Sequence, residues 1–460
     1  MSQEVTVEAR GERLTHMVDD VVRRARAAGA DTAEALGQTQ RDLSVKVRLG
    51  ETEMVEEAGS SAIGLRVLKG GRSATTSTSD LSPPGLARLV EDALALVELS
   101  EEDPLSGPPD SSELARTLPD LDLYDPALES VDGAAARALA LAAEQAARDL
   151  DPRISNSEGA SVGRVVGFTA FATSDGFAGG FPSSFISLVV QPLADDAGGK
   201  KRVGFHWDAR RHRGALADPA EVGAEAARRT LAKLGATKIP TGELPVVFSP
   251  DAGRGLLSLL CGCVSGSSVY RRQSYLADRE GQVVASPLVD VADDATLPRG
   301  PASRPFDGEG LPSRANAVIV DGRLESFLLD CYSARQLGKP TSTGNAARGV
   351  GGRPTVAPTN FHLKAGQTDP EAMVKELDRG LYVTSTMGFG FNAVTGDFSR
   401  GAEGFLIENG ALGRPVGEIT ISLGFPDLWA RVDAVGSDLD PKSGVASPTF
   451  RVERMTVAGS

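Results

Sequence analysis

Apolar side chains recur every three or four positions from Glu12 to Ala28, at Leu14, Met17, Val18, Val21, Val22 and Ala25, so the chain opens with an amphipathic helix. The period then changes to two. Leu43, Val45 and Val47 alternate as a strand, and a second strand carries Ala62, Gly64, Arg66 and Leu68 to the turn Lys69-Gly70-Gly71. Thr75 to Asp80 is polar but β-prone, and a helix from Pro84 to Leu99 follows the cap Ser82. Leu105 to Leu123, rich in Pro, Ser and Asp, shows no periodicity and reads as a linker. Beyond it come an alanine-rich helix from Ala134 to Leu150, a strand from Phe185 to Val190 closed by Gln191-Pro192, and a helix from Ala220 to Leu234. Glu158 to Val165 with Ala170 to Asp175 echoes Glu57 to Ser79, a pattern that duplicated helix-plus-hairpin units or ordinary turn chemistry would both produce.

The polar link Lys238 to Gly242, with Pro240, marks the main boundary. After it the pattern is mostly β. Ala317 to Val320 and Leu324 to Leu329 flank Asp321-Gly322, and Phe405 to Ile407 runs to Asn409-Gly410; both pairs suit type I′ turns. Glu371 to Arg379 is the one late helix, and Phe450 to Val457 closes as a strand. The reading is α+β: an N-terminal domain of helices and β-hairpins, divided as 1–104 and 105–237, and a β-rich C-terminal domain, 238–460.

One stretch, Leu244 to Tyr270, departs from ordinary core patterning. Val246, Val247 and Phe248 form a strand, and Ser249, Pro250 and Asp251 supply the cap, first-turn proline and dipole-facing carboxylate of a helix. Leu256, Leu257, Leu259 and Leu260 give that helix an apolar face. It ends in Cys261-Gly262-Cys263 and Ser265-Gly266-Ser267-Ser268, almost without side-chain bulk, which predicts close approach of another group to the backbone.

Composition narrows the function classes. The 460 residues carry 48 Lys and Arg against 62 Asp and Glu, a net charge of −14, which argues against a general nucleic-acid-binding surface. Three cysteines do not make a disulfide framework, and no run of about 18 apolar residues exists to span a bilayer. The first residues lack the basic start and apolar run of a signal peptide, so the expected compartment is the cytoplasm.

The stretch Leu244 to Tyr270 resembles the matching strand and helix of the TldD/PmbA family of zinc metallopeptidases, whose active members carry His-Glu-x-x-x-His there. In this chain the six positions are Ser258, Leu259, Leu260, Cys261, Gly262 and Cys263, so both His positions and the Glu position are replaced. Positions five apart lie about 140° from each other on a helix and share a metal only across a bend, which Gly262 would permit. Further segments resemble the PmbA (TldE) branch: Arg304 to Gly310, Leu328 to Gly338, Ser342 to Ala346, Asn392 to Gly401 and Ser447 to Glu453. Ile421 to Pro426 departs from the family's Gly-Asn-Leu turn. The resemblance implies an accessory subunit without catalytic or metal-binding residues of its own, working on unfolded peptides beside a zinc-bearing TldD-like subunit, and able to form a homodimer. Ser258, Leu259 and Cys263 are then degenerate metal positions. Gly262, Ser267, Arg271, Arg272, Asp307, Glu309 and Asn345 are the candidate contacts for peptide or partner. Competing readings are a stand-alone hydrolase with an unrecognised site and a structural homodimer.

Of four histidines only His206 and His212 have ligand-arm spacing, and their arginine-rich flanks favour a solvated surface over a cation site. Cys261 and Cys263 have one residue between them, not the two of a redox pair, and read as small buried hydrophobes. Asp307 and Glu309 suit acid/base work or a turn neutralised by Arg304 or Arg314, the turn being favoured. Met387 to Asn392 lacks the third glycine of a dinucleotide fingerprint and reads as a tight turn.

Overall fold

A computed structural model describes residues 7–459. The fold is α+β. In the N-terminal half, α1 (Val7–Ala27) leads into β1 (Thr32–Arg48), β2 (Glu51–Lys69) and β3 (Arg72–Thr78), followed by α2 (Pro83–Glu98). After the irregular linker come α3 (Gly133–Asp149), β4 (Ile154–Thr173), β5 (Ala178–Asp195), β6 (Lys201–Val203), β7 (His206–Arg210) and α4 (Pro219–Ala232). The strands form one sheet in the order β3-β2-β1-β4-β5-β6, with β7 also paired to β5, so the two N-terminal segments share a sheet and a core. A helix-plus-hairpin unit does occur twice, as α1-β1-β2 and α3-β4-β5. The sequence echo matched β2 and β3 to β4 alone, which are not equivalent positions in those units.

The caps fall where their chemistry requires. Ser82 accepts from Gly85 N at 3.3 Å to open α2, and Asp132 accepts from Ala135 N at 2.8 Å to open α3.

Beyond the boundary, β8 (Gly242–Phe248) pairs in parallel with Arg379–Met387 and antiparallel with Phe450–Ala458. Ala411–Ser422 joins Phe450–Ala458 to Asp397–Glu408, which pairs back to Arg379–Met387. Five strands thus close on themselves, leaving no open edge where they are fully paired. Phe248 and Phe450 stack at 5.1 Å against this core, and Trp429 stacks on Phe450 at 5.6 Å.

Both predicted type I′ turns form: Asp321 and Gly322 have φ of 47° and 75°, Asn409 and Gly410 52° and 75°. The first hairpin's return arm is only Arg323–Leu324, because the chain leaves the ladder and Leu328 bridges to Ser265 instead. The late helix is likewise shorter than expected, Pro370–Lys375, and Arg379 already begins a strand.

Among the contacts that join the halves are those of the loop at residues 348–350. The carbonyl of Val350 lies against Gly64 on β2, where a Cβ would overlap it. Beside it, Arg348 donates to Glu34 on β1 at 2.7 Å, Arg66 on β2 reaches the same carboxylate at 3.3 Å, and the Arg348 guanidinium sits 4.5 Å from the centre of the Phe171 ring. Glu34 is fully buried, and its two arginine partners outweigh the burial and hold its carboxyl below the usual range.

Candidate functional site

The helix after β8, α5 (Pro250–Val264), is set by Ser249, whose hydroxyl accepts from Ala252 N at 3.3 Å, and by Pro250 in the first turn. Leu256, Leu257, Leu260, Cys261, Cys263 and Val264 face the core. At about 100° per residue, Gly255, Ser258 and Gly262 then share one stripe. Ser258 and Gly262 are exposed, while Leu259 is partly buried against the core.

The three degenerate metal positions are not brought together. Ser258 Oγ donates to Arg254 O at 2.9 Å, Leu259 has no ligand atom, and Cys263 is fully buried. The bend that Gly262 would permit is not made: α5 continues to Val264 and breaks only at Ser265, whose ψ is 125°. Nothing lies within 4 Å of a Cβ built on Gly262. The close approach predicted for the small-residue end occurs at Gly266, where a Cβ would lie 2.6 Å from Leu329 Cδ2 and 2.7 Å from Ser333 Oγ.

The stripe is bordered by a strand edge. Arg379–Met387 pairs with β8 only from Leu381 to Val383, so residues 384–387 have no ladder partner on that side among the described residues. Gly255 faces this edge, where a Cβ built on it would lie 3.7 Å from Thr386 Oγ1.

The remaining candidates divide in two. Ser267 is half-buried in the short helix after α5; Arg271 is exposed against the Tyr270 ring, and Arg272, at φ 59°, is exposed and paired with Asp278. Asp307, Glu309 and Asn345 are buried at 2%, 2% and 0% exposure, which places them out of a peptide's reach in this conformation. Asp307 accepts from the backbone N of Glu309 at 2.9 Å, Leu311 at 3.0 Å and Ala346 at 3.3 Å, the work of a turn-holding carboxylate. Glu309 accepts from Cys331 N at 2.9 Å, and burial with the charge of Asp307 beside it pushes its carboxyl up to about 8. Asn345 donates to Asp293 at 2.6 Å and Ala357 O at 3.2 Å.

The histidine pair is not a solvated surface, contrary to expectation. His212 Nε2 lies 3.1 Å from Asp122 Oδ1, and His206 is packed into a cleft wall where burial, with Arg229 and Lys442 near, lowers it to about 4. Cys261 and Cys263 are buried free thiols pushed up to about 12 by burial, a setting that suppresses thiolate chemistry. Among the described residues no three His, Cys, Asp or Glu side chains are arranged to hold a metal ion. The donor set on α5 therefore does not fit zinc.

Sequence reading missed a cleft of about 720 Å³ between the halves. His206 and Trp207 on β7, Arg229 on α4 and Arg254 at the start of α5 line it, together with Thr384 and Ser385 of the free edge. The aromatic Trp207 beside a run of arginines was the only sequence signal.

Residues 241–459 match the model of the PmbA/TldA metallopeptidase C-terminal domain, residues 126–234 that of the central domain and residues 33–97 that of domain 1. The chain is 37% identical to Metalloprotease PmbA of Escherichia coli O157:H7 over 94% of this chain and 93% of that protein. It is 34% identical to the Metalloprotease PmbA homolog of Haemophilus influenzae over 99% and 98%. The Haemophilus influenzae Metalloprotease TldD homolog matches at 29% over 51% of this chain and 52% of its own length. A solved structure from Bacteroides thetaiotaomicron superposes with a TM-score of 0.90 at 24% identity, covering 99% of this chain and all of that one. TldE from Thermococcus kodakarensis gives 0.87 at 22%, covering 96% and 99%; at these identities the likeness is one of fold.

Proposed function

The chain belongs to the PmbA/TldA metallopeptidase family, and from that premise we propose that it is the accessory, metal-free subunit of a two-chain peptidase. The zinc, the water it activates and the general base reside in a TldD-like partner. This chain holds an unfolded peptide along the stripe of Gly255, Ser258 and Gly262. The peptide adds as a strand to the free edge at residues 384–387, where backbone hydrogen bonds accept many sequences.

One observation carries the reading. The helix keeps its apolar face and its open outer face, yet its outer face offers a hydroxyl already bonded to Arg254 O and no metal ligand. The test is elemental analysis of the isolated chain after dialysis, followed by cleavage assays with the chain alone, a TldD-like subunit alone and both mixed. The proposal expects no stoichiometric zinc in this chain and cleavage only in the mixture. One tightly held zinc per chain, or peptidase activity of the chain alone, would refute it.

A further inference from the structure

We propose that the cleft between the two halves binds the free C-terminal carboxylate of a short peptide whose last residue is aromatic or aliphatic. The inference rests on the accessory-subunit reading only for the substrate class, peptide, and can be tested on the isolated chain.

Most of the cations that line the cleft are held by carboxylates. Arg229 bonds Glu225 at 2.8 Å and Asp251 at 2.9 Å, Arg228 bonds Glu225 at 2.9 Å, and Lys233 bonds Glu403 at 3.0 Å. Arg202 pairs with Asp196 at 2.6 Å, and Lys442 lies 3.3 Å from Asp440. Arg254 differs. Its paired carboxylate oxygen, Asp251 Oδ1, is 4.0 Å away, while the other oxygen of that carboxylate, Oδ2, holds Arg229 at 2.9 Å. Its Nε is buried without a hydrogen-bond partner. The guanidinium is 5.2 Å from the centre of the Trp207 ring, and the side chain is 36% exposed. Among the described residues lining the cleft, Arg254 is thus the cation with the weakest carboxylate compensation, and its guanidinium is oriented by an aromatic face.

The surroundings choose among anions. Glu225, Asp251, Glu403, Asp438 and Asp440 also line the cleft, so a doubly charged phosphate meets repulsion that a single carboxylate, seated on Arg254, largely avoids. His206 adds no second cation at neutral pH, because burial keeps it neutral down to about 4. Phe205, Trp207, Phe405, Pro415 and Val416 supply apolar surface for the terminal side chain. A volume of about 720 Å³ has room for a few residues and none for a folded partner.

The experiment uses the full chain and two probes, N-acetyl-Ala-Ala-Phe as the free acid and as the C-terminal amide, titrated by calorimetry. Trp207 emission gives a second readout, since the other of the two tryptophans, Trp429, is 1% exposed in the core. The acid should bind at least about tenfold more tightly than the amide, a difference of about 1.4 kcal/mol. Arg254→Met, which keeps the stem over Trp207, should abolish that preference, and Arg254→Lys should retain part of it, which also guards against a variant that fails to fold. Inorganic phosphate should compete less well than acetate. Equal binding of acid and amide, no binding at millimolar peptide, or an acid preference surviving in Arg254→Met would overturn the proposal. These outcomes are separate from the accessory reading, which stands or falls on zinc content and on cleavage by the mixed subunits.

Discussion

Glu309→Gln should make the chain more stable at alkaline pH, by an amount that grows as pH rises. Glu309 is 2% exposed and accepts one backbone hydrogen bond, from Cys331, whereas its neighbour Asp307 accepts three. Two such carboxyls cannot both ionise at low cost, and the one with fewer donors keeps the proton. Its carboxyl therefore titrates at about 8 in the folded chain, against 4.5 in the unfolded one. Between these values the folded state holds a proton that the unfolded state has released. Stability then falls as pH rises, by about 1.4 kcal/mol per pH unit, and is fully present only below the unfolded value. The loss accumulates between these values and levels off above pH 8. Glutamine keeps an oxygen for the Cys331 amide and has no charge to bury. Urea unfolding of both proteins at about pH 5.5, 7 and 8.5, followed by circular dichroism, measures the difference, in which groups remote from Glu309 cancel. A difference that stays constant across the three pH values would refute the reasoning.

Three further outcomes are expected. Native chain at about pH 8 should resist iodoacetamide, because Cys261 and Cys263 are held at about 12 by burial, and Cys331 is raised by burial and by Glu309; one cysteine alkylated at a normal thiol rate, read by mass spectrometry, would contradict this. Gly266→Val should cost about 1–3 kcal/mol by overpacking against Leu329 and Ser333, whereas Gly262→Ala should gain about 0.5–1 kcal/mol in helix propensity because its side is open, both read from denaturant midpoints. Gly64→Ala should push the Val350 loop off β2 and expose residues 348–353 to limited proteolysis, with the fold of each half retained.

Local patterning made much of the fold legible. Ser82 and Ser249 cap the helices they were assigned to, and the Asp-Gly and Asn-Gly pairs take the positive φ values that fix hairpin register. What was lost has a common cause. β1 begins at Thr32, well before the alternating valines, because Ala33, Glu34 and Ala35 are buried by tertiary packing and carry no β-branched signature. Glu34 would be costly in that strand without Arg348, which lies 314 positions further along the chain, a separation beyond any window of periodicity.

The candidate site shows the same division between what a helix dictates and what assembly dictates. Helical geometry alone separates Ser258 and Gly262 from Cys263, so Ser258 and Cys263 do not face a common point across an unbent α5. Whether Gly262 bends could not be read from the sequence, since glycine is compatible with both a straight helix and a break. The structure decides it through Gly266. That position, not Gly262, receives Leu329 and Ser333, so the small-residue requirement sits after the helix has ended. Because none of the described residues covers Gly262, its openness carries weight only in the assembled complex. Gly262→Leu should leave the isolated chain's unfolding midpoint close to that of Gly262→Ala. In the reconstituted two-chain complex it should reduce peptide cleavage at least about tenfold by filling the stripe beside residues 384–387, an effect of about 1.4 kcal/mol on the transition state. Unchanged cleavage with the leucine in place would mean that neither peptide nor partner lies on that face, and the stripe would have to be abandoned as the peptide's path.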